Sequence, residues 1–142
     1  MQTKTFSISI NAPKEKVWQA LWNDDTYKQW TRVFAEGSYA VSDWQQGSKI
    51  QFLTPSGQGM YSIIDRLVPN EVLSFKHQGE IKDGVEQPPK EAWAGASETY
   101  TLTQQNSHTL LTVTLEMLES DAACFDTIFP TALQKVAEIA ET

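Results

Sequence analysis

A chain of 142 residues with 40% hydrophobic side chains is long enough to bury one core, and its single cysteine, Cys124, rules out an intrachain disulfide. Eighteen acidic against eleven basic residues, a net charge of −7, set long-range repulsion against nucleic acid or an anionic membrane as a partner. No apolar run approaches the roughly 18 residues of a membrane span, and MQTKTFSISI lacks the parts of a signal peptide, so a single cytoplasmic domain over 1–142 is expected.

The chain opens on an alternating stretch, Lys4 to Ile10. Phe6, Ile8 and Ile10 share one face and Thr5, Ser7 and Ser9 the other, the pattern of a half-buried strand. It runs into NAPKEKVWQALWNDDTYKQW, residues 11 to 30. Pro13 is read as sitting one or two residues into a helix, where its missing N–H costs nothing; Glu15 places a carboxylate near the positive helix start. Val17, Trp18, Leu21 and Trp22 make one apolar stripe, and Asp24 or Asp25 is expected to cap a second short helix presenting Tyr27 and Trp30. Phe34 to Trp44 carries Tyr39 and Val41 and leads to a turn signal at Gly47. Three strands are expected next: Lys49 to Leu53, closed by Pro55-Ser56-Gly57; Gly59 to Leu67; and, after Pro69-Asn70, Val72 to Glu80 with Leu73, Phe75 and His77 on one side.

Residues 82 to 95, KDGVEQPPKEAWAG, break this rhythm. Gly84, Pro88 and Pro89 read as excluding regular structure, so the stretch is expected to be a disordered or functional loop, with Trp93 docking its end. Alternation resumes from Ala96 to Gln104, where Glu98, Tyr100 and Leu102 oppose Thr99, Thr101 and Thr103. Asn106-Ser107 turns the chain, and Leu111, Val113, Leu115 and Met117 share a face of the last strand. From Asp121, read as an N-cap, the period turns helical: Phe125, Ile128, Phe129, Ala132, Leu133, Val136, Ile139 and Ala140 form one stripe. Pro130 lies inside it. One helix kinked there and a turn followed by a new helix both fit, and the unbroken phase favours the kinked helix. The series reads as α+β, an antiparallel sheet whose one apolar face is covered by the terminal helix.

The ordered set of Ala12-Pro13 with Val17-Trp18 and Leu21, Trp30, Trp44 with Gly47-Ser48, Pro69 before Leu73, Phe75 and His77, Tyr100-Leu102, Thr109 with Leu111 and Val113, and the terminal PTALQKVAEIAE carries a resemblance. It resembles the START-like, or helix-grip (SRPBCC), superfamily, and there the branch of activator of heat-shock-protein-90 ATPase homologues. The resemblance implies a strongly curved antiparallel sheet of six to seven strands wrapped around a long C-terminal helix, with two short helices after the first strand. It also implies a small domain standing alone, without the N-terminal client-binding architecture of the eukaryotic co-chaperone.

Catalytic signatures are missing: there is no Gly-rich phosphate loop, G-x-S-x-G elbow, H-E-x-x-H or Cys-pair spacing. With His77 and His108 the only histidines, an imidazole-built metal site is not expected, nor is a cofactor. His108 is read as solvated in a turn, and Cys124 as a small buried hydrophobe. Strand parity puts His77 and Glu98 on the concave side, where they could act as an acid–base pair or be polar groups hydrated or bonded to Trp93 or Tyr61. Trp30, Phe34, Phe52, Tyr100, Phe125 and Phe129 either fill the core or, with His77, Trp93 and Glu98, line a cavity between sheet and helix. Three function classes remain. A binding module for a small hydrophobic or amphipathic molecule comes first, then a chaperone-associated interaction protein, then an enzyme of cyclase or hydrolase type using His77 and Glu98. A monomer or a homodimer fits each.

Overall fold

The computed structural model describes residues 2–142. A first strand, β1 (Gln2–Ile10), leads into helices α1 (Lys14–Trp22) and α2 (Asp24–Trp30) and a 3-10 turn, Thr31–Val33. Seven strands follow: β2 (Tyr39–Val41), β3 (Lys49–Leu53), β4 (Gly59–Val68), β5 (Val72–Lys82), β6 (Val85–Glu86), β7 (Ser97–Gln105) and β8 (His108–Met117). The last element is α3 (Glu119–Ala140). The strands form one antiparallel sheet in the order β1-β8-β7-β5-β4-β3-β2, with β6 paired to β5 alone. This is the α+β, helix-grip architecture, a curved sheet holding a long terminal helix.

One face of the sheet is apolar because the strands alternate, and α3 covers it with the other two helices. Along β1 burial alternates residue by residue, and Phe6 stacks on Phe129 of α3 with ring centroids 5.4 Å apart. The stripe on α3 buries Phe129, Ala132, Leu133, Val136 and Ala140, with Val136 and Ala132 fully excluded from solvent. Leu73, Phe75, Leu111 and Val113 meet it from the sheet at 0% exposure. Pro130 lies within the continuous α3, so no turn separates two helices there, and on its exposed side. Water can there take up the Asp126 carbonyl that Pro130 leaves unbonded.

Several local readings are corrected. Pro13 occupies the cap position before α1, with φ −69° and ψ 157°, and its carbonyl accepts the N–H of Lys16 and Val17. Asn23, not Asp24 or Asp25, is the junction residue of α2; the two aspartates lie in its first turn, where the helix dipole favours their charge. Asp121 likewise sits inside the first turn of α3, and Leu118 is the cap residue, with no side-chain cap bond. The sheet exceeds the expected six to seven strands because Asp83-Gly84 is a two-residue hairpin turn. Both residues have the left-handed φ, 52° and 78°, that such a turn needs. Gly84 thus makes a strand pair where it was read as breaking one. Cys124 is exposed, and His108 opens β8 instead of sitting in the turn, though it too is exposed.

Candidate functional site

Residues 87–96 do not hang free. Gln87 and Lys90 donate backbone N–H bonds to Glu80 and Gln78, Gly95 N–H reaches the His77 carbonyl at 2.7 Å, and His77 N–H reaches Ala96 at 2.9 Å. The segment thereby continues the β5 edge beyond the last β7 pairing, Lys76 with Ser97, and seats Trp93 at the open end of the sheet. A second local device is a bulge: β4 and β5 slip register between Tyr61 and Ser62, so that Tyr61 faces Gly79 and Ser62 faces His77. A Cβ on Gly79 would stand 2.8 Å from the Tyr61 ring, so the close approach of that ring requires glycine.

Between sheet and helices the packing leaves a cavity of about 360 Å³. The residues singled out in the sequence all line it: Trp30, Phe34, Phe52, His77, Trp93, Glu98, Tyr100, Phe125 and Phe129. Strand parity missed none of the polar pair, because β5 and β7 keep a strict period of two across Leu73–His77 and Glu98–Leu102. The sequence reading did not assign Trp22, Tyr27, Tyr39, Met60, Phe75 and Asp121 to it, and these line it as well. Tyr27 and Phe75 could have been found, since they share a face with Trp30 and His77 respectively.

The polar end of the cavity is one hydrogen-bonded chain. Ser62 Oγ lies 2.7 Å from His77 Nδ1, His77 Nε2 lies 3.1 Å from Glu98 Oε1, and the Tyr100 hydroxyl donates to Glu98 Oε2 at 2.5 Å. A carboxylate oxygen only accepts, so Nε2 carries the proton facing it, and Nδ1 meets the Ser62 hydroxyl. Neither Trp93 nor Tyr61 is the partner of His77; Tyr61 donates instead to the Gln87 carbonyl. Ser62 is fully buried and does not line the cavity, so it positions the imidazole and presents no nucleophile there. Burial, with the Glu98 charge adding to it, pushes the hydroxyls of Tyr27 and Tyr100 well above the usual tyrosine range. At the rim, Glu116 accepts from Ser97 N–H and Oγ, which holds its carboxyl below the usual carboxylate range. Among the described residues no group of three His, Cys, Asp or Glu side chains is placed to hold a metal.

The Trp-bearing helix pair, the sheet and the terminal helix together bear a known family pattern. That of the proteins described as activator of Hsp90 ATPase homolog 1-like matches residues 11–138. The chain belongs to this family. Among solved structures similar to this member of the Hsp90 ATPase activator homologues is the Aha1 dimer from Colwellia psychrerythraea. It is 25% identical, with a TM-score of 0.76 over 99% of this chain and 97% of that one. Protein MLL2253 from Mesorhizobium loti is 17% identical, with a TM-score of 0.76 over 97% of this chain and 96% of that one. DynU16, a protein of the dynemicin biosynthetic locus, is 18% identical with a TM-score of 0.75; all of this chain covers 48% of it. The last two likenesses speak for the fold alone. No curated protein matches the sequence. No helix among the described residues is long and apolar enough to cross a membrane.

Proposed function

We propose that this protein binds a small hydrophobic or amphipathic molecule in the cavity between the sheet and α3. The observation that carries the reading is the cavity itself: about 360 Å³ within an otherwise close-packed core, walled by aromatic rings and closed at one end by the His77–Glu98–Tyr100 chain. A hollow of that size, lined with rings, falls in the range of small-molecule sites. The polar end gives an amphipathic guest one orientation. Native mass spectrometry of protein purified from its source tests the reading. A retained species of small mass is expected, and apoprotein alone, with no thermal stabilisation across a panel of amphipathic molecules, would overturn it.

A chaperone-associated role is the second reading, supported by the family match and by the likeness to an Aha1 dimer. It includes a homodimer of this chain. Pull-down of the ninety-kilodalton heat-shock chaperone with the purified protein tests the association, and sedimentation velocity tests the dimer. The enzyme reading is weaker, because both ring nitrogens of His77 are already engaged and Ser62 is out of reach of the cavity.

A further inference from the structure

The charge complement of the cavity says more about its occupant than its volume does. Among the described residues no lysine or arginine lines it, whereas Glu98, Glu116 and Asp121 do. Five of the eleven basic side chains are paired elsewhere, Lys4 with Asp126, Lys28 with Asp24, Lys49 with Glu86, and Lys82 and Lys90 with Glu80, and Lys76 acts on Glu116 at the rim. Glu98, at the inner end, is therefore met by hydrogen-bond donors and by no fixed cation. Its donors are His77 Nε2 and the Tyr100 hydroxyl.

The Ser62 contact weighs against a second proton on the imidazole. Ser62 is fully buried, and its hydroxyl has His77 Nδ1 as its hydrogen-bond partner. With a neutral ring the serine O–H donates to Nδ1; a doubly protonated ring would donate instead and leave that O–H buried without an acceptor, which is costly. Tyr27 adds an independent mark. It is 7% exposed and lines the cavity near Glu98, and no protein group among the described residues hydrogen-bonds its hydroxyl, which is left to meet a guest. The remaining walls are aromatic, and ring faces attract cations through their quadrupole. A carboxylate guest would meet Glu98 in a poorly solvated space with no lysine or arginine in the lining to offset the repulsion.

Resting on the ligand-binding reading, and narrowing it, we propose that the cavity selects an amphipathic organic cation. An amine or quaternary ammonium sits beside Glu98 and Tyr27, and its apolar body lies among Trp30, Phe125 and Phe129. Carboxylates of the same shape are rejected.

Three probes that share one octyl chain test this: octyltrimethylammonium, octanol and octanoate, titrated against tryptophan fluorescence of the full chain at low salt. The expected order of affinity is ammonium, then alcohol, then carboxylate, with the ammonium at least about tenfold tighter than the carboxylate, the weight of a desolvated cation–π contact beside a carboxylate. Glu98→Gln, whose one oxygen accepts from His77 while its amide meets the Tyr100 hydroxyl, is expected to remove most of the ammonium's advantage over octanol. Should that variant not fold, the ranking on the unaltered protein decides alone. Octanoate binding as tightly as the ammonium would overturn the charge selectivity and leave the cavity reading standing. Binding of none of the three would overturn both.

Discussion

His77 gives both ring nitrogens to the protein, and that decides what its removal does. Parity alone marks it as a hydrated cavity residue whose loss leaves the fold intact. At 8% exposure, bonded to Ser62 and Glu98, it behaves as part of the core. His77→Ala is therefore expected to lower stability by about 1–3 kcal/mol, the penalty for stranding buried partners, as read by urea unfolding. Ser62→Ala should cost less and weaken ligand binding through the loosened ring. Tyr27 and Tyr100 make a second expectation. Both are held protonated in the folded chain, by burial first and by the Glu98 charge next, whereas unfolded tyrosines ionise near pH ~10. Stability is thus fully present below that pH and lost as pH rises above it, by about 1.4 kcal/mol per pH unit for each ring. Denaturant melts on either side of that point measure the slope, and Tyr100→Phe should shrink it. The pairing of His77 with Glu98 was legible because a strand fixes which side chains share a face. Ser62 was not, because a bulge at Tyr61 and Ser62 changes the register across β4 and β5 and nothing in GMYSIIDRL announces it.

The terminal helix was legible for the same kind of reason: eight apolar residues at helical spacing outweigh one proline. Leu133, 2% exposed at the centre of that stripe, should cost about 2–5 kcal/mol when cut to alanine, measured by thermal or urea unfolding; a shift near zero would mean that α3 does not close the core. Pro130 sits on the exposed side of the same helix, so Pro130→Ala restores an N–H without disturbing Phe129. That variant is expected to be neutral to stabilising, by up to about 3 kcal/mol, in the same melts. Helix starts were less legible. Asn23, Asp24 and Asp25 are all residues that favour a cap, and which of them serves depends on where α1 ends, a tertiary matter. The stretch over 82–95 misled for a different reason. Its glycine and prolines were weighed as breakers, while Asp83-Gly84 carries the strongest short hairpin signal a sequence has. Hydrogen bonds from the rest of the stretch to β5 depend on a sheet edge that no local pattern reveals.

At the scale of the molecule, the apolar series predicted a sheet closed by a helix but could not say whether the rings between them would touch or leave room. Both arrangements need the same residues, and 360 Å³ is a matter of how ring edges meet. The topology carries one more consequence, for the way the protein is made. The sole neighbour of β1 in the sheet is β8, paired from Gln2 with Met117 to Ile10 with Thr109, and Lys4 reaches Asp126, 122 positions along the chain. On a ribosome β1 emerges well before its mate β8, which is the last strand of the sheet. At about 5–20 residues per second, Phe6, Ile8 and Ile10 wait several seconds with an unpaired backbone. No partial chain that stops before β8 can satisfy that edge, so nascent chains stalled there should be cut by protease within β1, while chains stalled with α3 outside the tunnel should resist. Folding of this sheet is set by the emergence of β8 and not by that of β1.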